Sequence, residues 1–144
     1  MWFNIIITIF TAYLLGNLNG AVMISHLIAN EDVRTHGSGN AGLTNFIRNY
    51  GAASSMLVIA TDVGKAYLAC MVGGRLLAPY GLEVTGRALG ALCVILGHDF
   101  PALLGFKGGK GILSGVTVAL MMDWKLGLLV FSIFLIAYLL THYV

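Results

Sequence analysis

Residues 52–77 read AASSMLVIATDVGKAYLACMVGGRLL, an apolar run that holds only three charged side chains. At about 1.5 Å per residue, a helix of this length exceeds the roughly 30 Å hydrocarbon core of a bilayer. Asp62 and Lys65 lie three residues apart, the spacing at which helical side chains meet. Charges inside hydrocarbon are costly and are usually paired or functional. The run therefore predicts a membrane helix with an internal ion pair that faces a polar site.

The composition of the whole chain agrees with a membrane protein. Of its 144 residues, 58% are hydrophobic and 10% are charged, whereas about 25% of a soluble domain is charged. The mean hydropathy is +0.89. The net charge of +2 is too small to indicate a nucleic-acid partner. Cys70 and Cys93 stand in apolar runs without metal or redox spacing, so we interpret both as small core residues.

The apolar runs predict an all-α, polytopic transmembrane helical bundle that forms a single membrane domain over residues 1–144. The five predicted spans cover residues 5–29, 52–77, 88–104, 112–122 and 126–143. No Lys or Arg precedes the first run, so we expect a retained span there and not a cleaved signal peptide. The run 112–122 is too short to cross alone, which leaves either a span that borrows from its neighbours or a re-entrant helix.

Two polar segments are predicted to lie on one membrane face, because a chain that crosses the membrane twice returns to the side from which it started. If the runs 52–77 and 88–104 both cross, residues 30–51 and 105–111 lie on the same side. Four basic residues lie in these segments against three on the other side, so the positive-inside rule favours a cytoplasmic orientation for them. The four are Arg34, Arg48, Lys107 and Lys110, and the three are Arg75, Arg87 and Lys125.

The first polar segment contains HGSGNAGLTN at residues 36–45. Its glycines allow consecutive backbone N–H groups to converge on an anion, and its small polar side chains can add hydrogen bonds. Arg48 can supply a charge-assisted contact if the loop runs into the start of the next helix. These features favour a phosphate site, although a plain solvated connector has a similar composition. The glycines are Gly37, Gly39 and Gly42, and the polar residues are Ser38, Asn40, Thr44 and Asn45.

The second polar segment, FKGGKG at residues 106–111, places glycines beside lysines at a predicted helix start. It is not a Walker A motif, because Leu104 and Gly111 stand where that motif requires a glycine and a Ser or Thr. Lys107 and Lys110 either bind a phosphate beside Gly108 and Gly109 or anchor lipid headgroups.

The sequence leaves open the roles of three polar residues near these segments. His98 is either a general acid or base or a structural hydrogen-bonding group. Asn17 and Asn19, near the end of the first run, either face the same cavity or bond between helices.

Together these segments resemble the bacterial acyl-phosphate:glycerol-3-phosphate acyltransferases, polytopic enzymes that begin phospholipid biosynthesis. Their order and spacing match along nearly the whole chain. The matching segments are residues 37–45 with Arg48, Gly97-His98 with Phe100-Pro101, residues 106–111, and residues 62–65.

The resemblance implies that a fatty acyl group moves from acyl phosphate to the 1-hydroxyl of glycerol 3-phosphate, giving lysophosphatidic acid and phosphate at the bacterial inner membrane. It implies no cofactor, metal, coenzyme A or acyl carrier protein. It also implies no conventional catalytic base, with Ser38, Arg48 and Lys107 stabilising the transition state and Lys110 assisting. The implied substrate-binding residues are Gly37, Ser38, Gly39, Asn40, Gly42, Thr44, Asn45, Arg48, His98, Lys107, Gly108, Gly109, Lys110 and Gly111.

The sequence departs from the family pattern at its end. Family members continue into a third serine- and glycine-rich motif and further helices, so we expect residues 1–144 to represent the first two-thirds of the enzyme. His142 stands where an arginine is usual, and Asn19 where many members have serine. The alternatives are a catalytically incompetent fragment and a membrane protein that binds phosphate or anionic lipid without chemistry. A small transporter is disfavoured because the polar residues cluster in loops.

Overall fold

The chain folds into helices connected by short turns. The structure is a computed structural model that describes residues 1–141, and within that range it contains seven α-helices, three short 3-10 turns and no strand. The helices are α1 (Trp2–Asn17), α2 (Gly20–Ala29), α3 (Leu43–Tyr50), α4 (Ala52–Leu77), α5 (Glu83–Asp99), α6 (Ile112–Met122) and α7 (Trp124–Thr141). The 3-10 turns are Val33–Thr35, Ala78–Tyr80 and Ala102–Leu104. The predicted all-helical class is confirmed.

Three helical segments are long and apolar enough to cross a membrane, judged by length and composition: Ala52–Tyr80, Glu83–Leu104 and Trp124–Thr141. The bent pair α1 and α2 makes a fourth if it is one span. Helix α6, with 11 residues, has the predicted bounds and stays shorter than a span. The sequence predicted five spans, whereas the described residues contain four at most, with the bent pair counted as one span. The predicted end of the last span, with His142, lies outside the described residues.

The first predicted span, 5–29, is formed by two helices with a bend between them. Helices α1 and α2 meet at an angle of 41°, and Leu18 and Asn19 lie between them. The Asn19 side chain accepts a hydrogen bond from the Val22 N–H at the start of α2 and donates one to the Ala41 carbonyl, at 3.0 Å. This N-cap starts a new helix in a new direction.

The other asparagine of this region also bonds between segments. The Asn17 amide donates to the Tyr13 carbonyl at 2.7 Å, and its oxygen accepts from the Leu103 N–H at 3.0 Å. Of the two roles that the sequence left open for Asn17 and Asn19, the structure supports the structural one.

Small residues let α1, α4 and α5 pack closely at the centre of the bundle. A Cβ added at Gly73 would overlap the carbonyl oxygen of Gly86, and one added at Gly90 would overlap that of Ala69. Gly97 of α5 meets the Tyr13 carbonyl of α1 in the same way. Glycines of this kind are typical of membrane helices, where packing and not burial from water drives association.

Substitution of these glycines gives a direct test of the packing. We expect Gly90→Ala to lower the free energy of unfolding by about 1–3 kcal/mol, because the new methyl group overpacks against the backbone of α4. The matched control is Gly64→Ala in α4, where an added Cβ meets no atom within 4 Å. Thermal unfolding in detergent should show a loss for the first variant and none for the control; equal behaviour of both would contradict the close contact.

Candidate functional site: a cavity between two glycine-rich loops

The first polar segment is largely folded. It contains the 3-10 turn Val33–Thr35 and the helix α3, whose N-cap is Gly42. Arg48 lies in the last turn of α3, and Gly51, with a φ of 82°, separates α3 from α4. The loop does run into the start of a helix, as the sequence allowed, but that helix is α3, and Arg48 lies near its end. The sequence missed α3 because a helix of eight residues is too short to show as a span.

Asn45 fixes the shape of this first loop. Its amide nitrogen donates to the carbonyls of Val33, His36 and Asn40 at 3.0, 3.0 and 3.1 Å. Its oxygen accepts from the Ser38 N–H at 3.0 Å. The side chain is 2% exposed. Asn45 therefore acts inside the loop, where the sequence predicted a direct contact with an anion.

The loop also uses its own N–H groups. Besides Ser38, the N–H of Gly39 donates to the His36 carbonyl at 3.0 Å, and that of Gly42 donates to the Asn40 carbonyl at 2.9 Å. These groups cannot converge on an anion while they make those bonds. The predicted cradle of consecutive loop N–H groups is absent at these three positions.

The second loop is attached to the end of α5. The N–H groups of Gly108 and Gly109 donate to the carbonyls of Asp99 and His98, each at 3.2 Å. Gly111 has a φ of 63°, and a Cβ there would lie 2.7 Å from the Asp99 carboxylate. Glycine is required at this position by both the backbone angle and the space.

The two loops contact each other, in agreement with their predicted placement on one face. The Arg34 guanidinium donates from Nη1 to the carbonyls of Leu104 and Lys107, both at 2.9 Å. The Asp32 carboxylate accepts from the other side of the guanidinium, at 2.7 Å. The hydrogen bonds from the Arg34 side chain keep the pKa of the Asp32 carboxyl below its ordinary value. Arg34 is thus a cross-link between loops and is not a free cation.

A cavity of about 600 Å³ opens beside the loops. Nine of the predicted site residues line it, and they come from both loops and from the end of α5. Gly42 and Gly111 are the N-caps of α3 and α6, so both helices begin at this cavity with a residue that has no capping side chain. The nine are Ser38, Asn40, Gly42, Thr44, Asn45, Arg48, His98, Lys110 and Gly111.

The lining of the cavity includes an apolar wall, which the sequence reasoning missed. It comes from α3, α6 and α7, whose side chains had only the signal of ordinary membrane helices. The wall residues are Leu43, Ile47, Ile112, Leu113, Val116, Phe131, Phe134 and Tyr138.

The structure separates the two lysines of the second loop. Lys110 lines the main cavity, whereas Lys107 borders a second recess of about 640 Å³ together with Arg34, Gly39 and Gly108. Gly37 and Gly109 are among the lining residues of neither space. The predicted substrate contact of Lys107 stays a prediction.

A buried ionic network forms the floor of the cavity. Lys65 Nζ lies 2.8 Å from Asp62 Oδ1, which confirms the predicted pair, and Asp62 lines the cavity. Lys65 Nζ also lies 2.7 Å from His98 Nδ1 and donates to the Leu18 carbonyl at 2.9 Å. The Gly20 N–H donates to Asp62 Oδ1 at 3.3 Å. The contacts with α1, α2 and His98 had no sequence signal, since they join residues distant in the chain.

The arrangement combines a cationic end with an apolar wall. Arg48, Lys110 and the two helix N-termini form the part that we name the cationic end, which favours an anion. The aromatic and aliphatic side chains of α6 and α7 favour a hydrocarbon chain. The cavity is therefore suited to an amphiphile with an anionic head.

Comparison with known proteins agrees with this geometry. A model of the glycerol-3-phosphate acyltransferase family matches residues 6–144. The chain belongs to this family. A glycerol-3-phosphate acyltransferase of Clostridioides difficile (strain 630) is 34% identical over 143 residues, covering 99% of this chain and 70% of that protein. One from Thermoanaerobacter sp. (strain X514) is 37% identical over 96% of this chain and 68% of that protein.

Solved structures of an integral membrane glycerol 3-phosphate acyltransferase share the fold. The glycerol 3-phosphate form of that enzyme aligns with a TM-score of 0.82 and 29% identity, over 96% of this chain and 68% of that chain. The lysophosphatidic acid form aligns with a TM-score of 0.77 and 28% identity, over 94% of this chain and 65% of that chain. The family resemblance predicted from the two glycine-rich motifs is confirmed.

The role of Asn45 in this acyltransferase fold is testable. We expect Asn45→Asp to lower the free energy of unfolding by about 3 kcal/mol or more, because three carbonyls lose a donor at about 1 kcal/mol each and then face a carboxylate. Asn30 is exposed, and the same change at that position, Asn30→Asp, serves as the control and should cost less than about 1 kcal/mol. Chemical or thermal unfolding in detergent measures both, and a tolerated Asn45→Asp would refute the anchoring role.

Proposed function

We propose that this chain transfers a fatty acyl group from acyl phosphate to the 1-hydroxyl of glycerol 3-phosphate, forming lysophosphatidic acid and phosphate in phospholipid biosynthesis. The observation that carries the proposal is that one cavity combines a cationic end with an apolar wall. Family membership supplies the reaction class. Glycerol 3-phosphate and acyl phosphate are the proposed partners, and neither coenzyme A nor acyl carrier protein has a role in the proposed reaction.

The cationic end suits the phosphate groups of both substrates. Arg48 can make a bidentate contact with phosphate oxygens, and Lys110 adds a second positive charge from the other loop. The N–H groups in the first turns of α3 and α6 have no partner within their own helices. Ser38 borders the same space and offers a hydroxyl donor. Two phosphate-bearing substrates that bind side by side need this concentration of donors.

The apolar wall suits the acyl chain. Phe131, Phe134 and Val116 face the cavity from two helices of low polarity. Only 6% of the residues of α7 are buried within the described structure, so its packing there is confined to a few positions such as those that line the cavity. An acyl chain can lie along this wall while its phosphate occupies the cationic end.

The proposed chemistry needs few protein groups. The 1-hydroxyl oxygen attacks the acyl carbonyl carbon, forming a C–O bond and a tetrahedral oxyanion. The oxyanion collapses, the bond between carbonyl carbon and phosphate oxygen breaks, and phosphate leaves with that electron pair. The hydroxyl proton passes to a phosphate oxygen, so no side chain has to act as base. The protein then contributes positioning and charge stabilisation, for which we nominate Ser38, Arg48 and Lys107 with assistance from Lys110.

A second candidate function is binding of phosphate or anionic lipid without chemistry. The observation that favours it is the exposed tip of the second loop, where Leu103 and Phe106 are exposed beside Lys107. Apolar and basic side chains together at an interface are typical of headgroup anchoring. The same lysine therefore serves either the reaction or the attachment of the loop to the membrane surface.

An enzymatic assay separates the two functions. Purified protein in lipid, supplied with acyl phosphate and glycerol 3-phosphate, should release phosphate and form lysophosphatidic acid at equal rates. Phosphate release without the lipid product would indicate hydrolysis only. A folded sample that forms no lysophosphatidic acid would refute acyl transfer by this chain.

Single substitutions then assign the cationic groups. Arg48→Ala, Lys107→Ala and Lys110→Ala should each lower kcat/KM by about tenfold or more, since a hydrogen bond to a charged group is worth about 1.5–3 kcal/mol. The control is Arg75→Ala, which removes an exposed arginine from the opposite end of α4 and should leave kcat/KM unchanged. An unaffected lysine variant would assign that lysine to headgroup anchoring.

We further propose that the chain resides in the bacterial inner membrane with both loops on the cytoplasmic face. The excess of basic residues in residues 30–51 and 105–111 supports this orientation, and so does the expectation that both substrates are made in the cytoplasm. Thr35 is exposed in the first loop. In a Cys70→Ala, Cys93→Ala background, Thr35→Cys should resist a membrane-impermeant maleimide added to intact cells and react in lysed cells. Labelling in intact cells would reverse the orientation.

A further inference from the structure

The ring of His98 is held by a lysine and not by a carboxylate. Lys65 Nζ lies 2.7 Å from His98 Nδ1, whereas Asp62 Oδ1 lies 3.8 Å from the same nitrogen. The first distance is that of a hydrogen bond and the second is too long for one. The carboxylate instead contacts Nζ at 2.8 Å. The order of groups is therefore carboxylate, ammonium, imidazole.

This order decides which ring nitrogen carries the proton. An ammonium group has three donors and no acceptor, so His98 Nδ1 must accept from Lys65. A neutral imidazole has one N–H, which then lies on Nε2. A carboxylate in direct contact with the ring would accept a hydrogen bond from an Nδ1–H. Nε2 would then be unprotonated and could accept a proton, as in a general base. Because Lys65 lies between Asp62 and His98, Nδ1 is the acceptor and Nε2 is the donor, which is the opposite assignment.

The ammonium group is held in place by the surrounding helices. Its partners are Asp62 Oδ1, the Leu18 carbonyl and His98 Nδ1, which match its three protons. The Gly16 carbonyl lies further away, at 3.4 Å. Lys65 is 3% exposed and Asp62 is oriented by the Gly20 N–H. Rotation of Nζ away from His98 would leave a buried donor without a partner, which is costly.

The opposite edge of the ring lies on the side of the second loop. A Cβ added at Gly109 would overlap His98 Nε2, so the loop backbone passes directly beside this atom. His98 also lines the main cavity. The His98 ring therefore borders the space in which the proposed substrates react.

We propose that Lys65 and Asp62 are positioning residues that hold the proton of His98 on Nε2, so that the ring donates a hydrogen bond to a substrate oxygen. The acceptor is a phosphate oxygen or the oxyanion of the tetrahedral intermediate, both of which gain from a preorganised donor. The catalytic consequence rests on the proposed acyl transfer. A donor at this position is consistent with a reaction in which the proton leaves with phosphate and no side chain acts as base.

Nitrogen NMR of the intact chain reads the tautomer without any activity. Protein labelled with ¹⁵N-histidine is studied in detergent, and the His98 signals are assigned by their loss in His98→Asn. Couplings from the ring nitrogens to the two carbon-bound ring protons distinguish Nε2 from Nδ1. We expect neutral His98 with a protonated Nε2 and an unprotonated Nδ1. A protonated Nδ1 would overturn the proposal.

Two substitutions separate the lysine from the carboxylate. In Lys65→Met the Nδ1 acceptor loses its donor and faces Asp62, so we expect the Nδ1–H tautomer to increase. In Asp62→Asn the lysine still donates, so the Nε2–H tautomer should persist. The opposite pattern, with a change in Asp62→Asn only, would show a direct carboxylate–histidine pair and overturn the proposal.

A double variant and a packing control cover misfolding. If Lys65→Met leaves Asp62 unpaired and does not fold, Asp62→Leu with Lys65→Met removes both charges and leaves no new donor beside Nδ1, and the Nε2–H preference should again be lost. Its retention would contradict the proposal. Ser114→Ala serves as the control, because Ser114 donates to the Asp62 backbone carbonyl at 3.3 Å without contacting the ring. The tautomer should be unchanged in this control.

Kinetics link the tautomer to the reaction. We expect Lys65→Met to lower kcat by up to about 100-fold, the effect of a misplaced reacting group, with a smaller change in the KM of glycerol 3-phosphate. A folded Lys65→Met that has lost the Nε2–H preference and keeps full kcat would overturn the positioning role. If the unmodified chain forms no lysophosphatidic acid, the proposed function fails, whereas the NMR result still decides the tautomer.

Discussion

The bond between Lys65 and the carbonyl of Leu18 is the contact on which the rest of the site depends. Inside a bilayer, a helix that breaks must satisfy its freed backbone groups with protein partners. The break between α1 and α2 exposes the Leu18 carbonyl and the Gly20 N–H, and the pair in α4 provides one donor and one acceptor for them. The freed backbone groups of the bend and the buried ion pair thus act as hydrogen-bond partners for each other, which lowers the cost of burying both.

The same pair connects the bend to the reaction site. Lys65 reaches His98 at the end of α5, and the backbone of that end holds the second loop through Gly108 and Gly109. On the other side, Asn19 in the break donates to the Ala41 carbonyl of the first loop. Both loops are therefore positioned by one buried cluster, which consists of Lys65 and the break between α1 and α2. Rigid support of this kind is what a site built from glycine-rich loops needs.

The sequence predicted the features that depend on neighbours along the chain. The bounds of α4 follow from an apolar run between Gly51 and Pro79, and its ion pair follows from the spacing of Asp62 and Lys65. The glycine-rich motifs identified the family. Helix α3 and the bend at Leu18 could not be predicted, because the first is too short to stand out and the second is stabilised by a residue 47 positions away.

The site was predicted in its polar half and missed in its apolar half. Loop residues such as Ser38 and Arg48 are conspicuous against a hydrophobic sequence, whereas Phe131 and Phe134 are indistinguishable from lipid-facing residues until the helices are packed. The sequence also did not show that Lys107 and Lys110 border different spaces. Gly105 and Phe106 have φ values of 67° and 61°, and a sequence does not show how such a turn directs the side chains that follow it.

The spacing of the buried pair also matters while the chain is being made. A single Lys or Asp at the centre of a helix opposes its entry into the bilayer by about 2.5–3.5 kcal/mol. Asp62 lies one turn before Lys65, so α4 can leave the translocon with its own counter-ion and needs no later helix to neutralise it. The Leu18 carbonyl has by then been synthesised, whereas His98 follows only with α5. The partners of the ammonium are therefore synthesised in the order Leu18, Asp62 and His98.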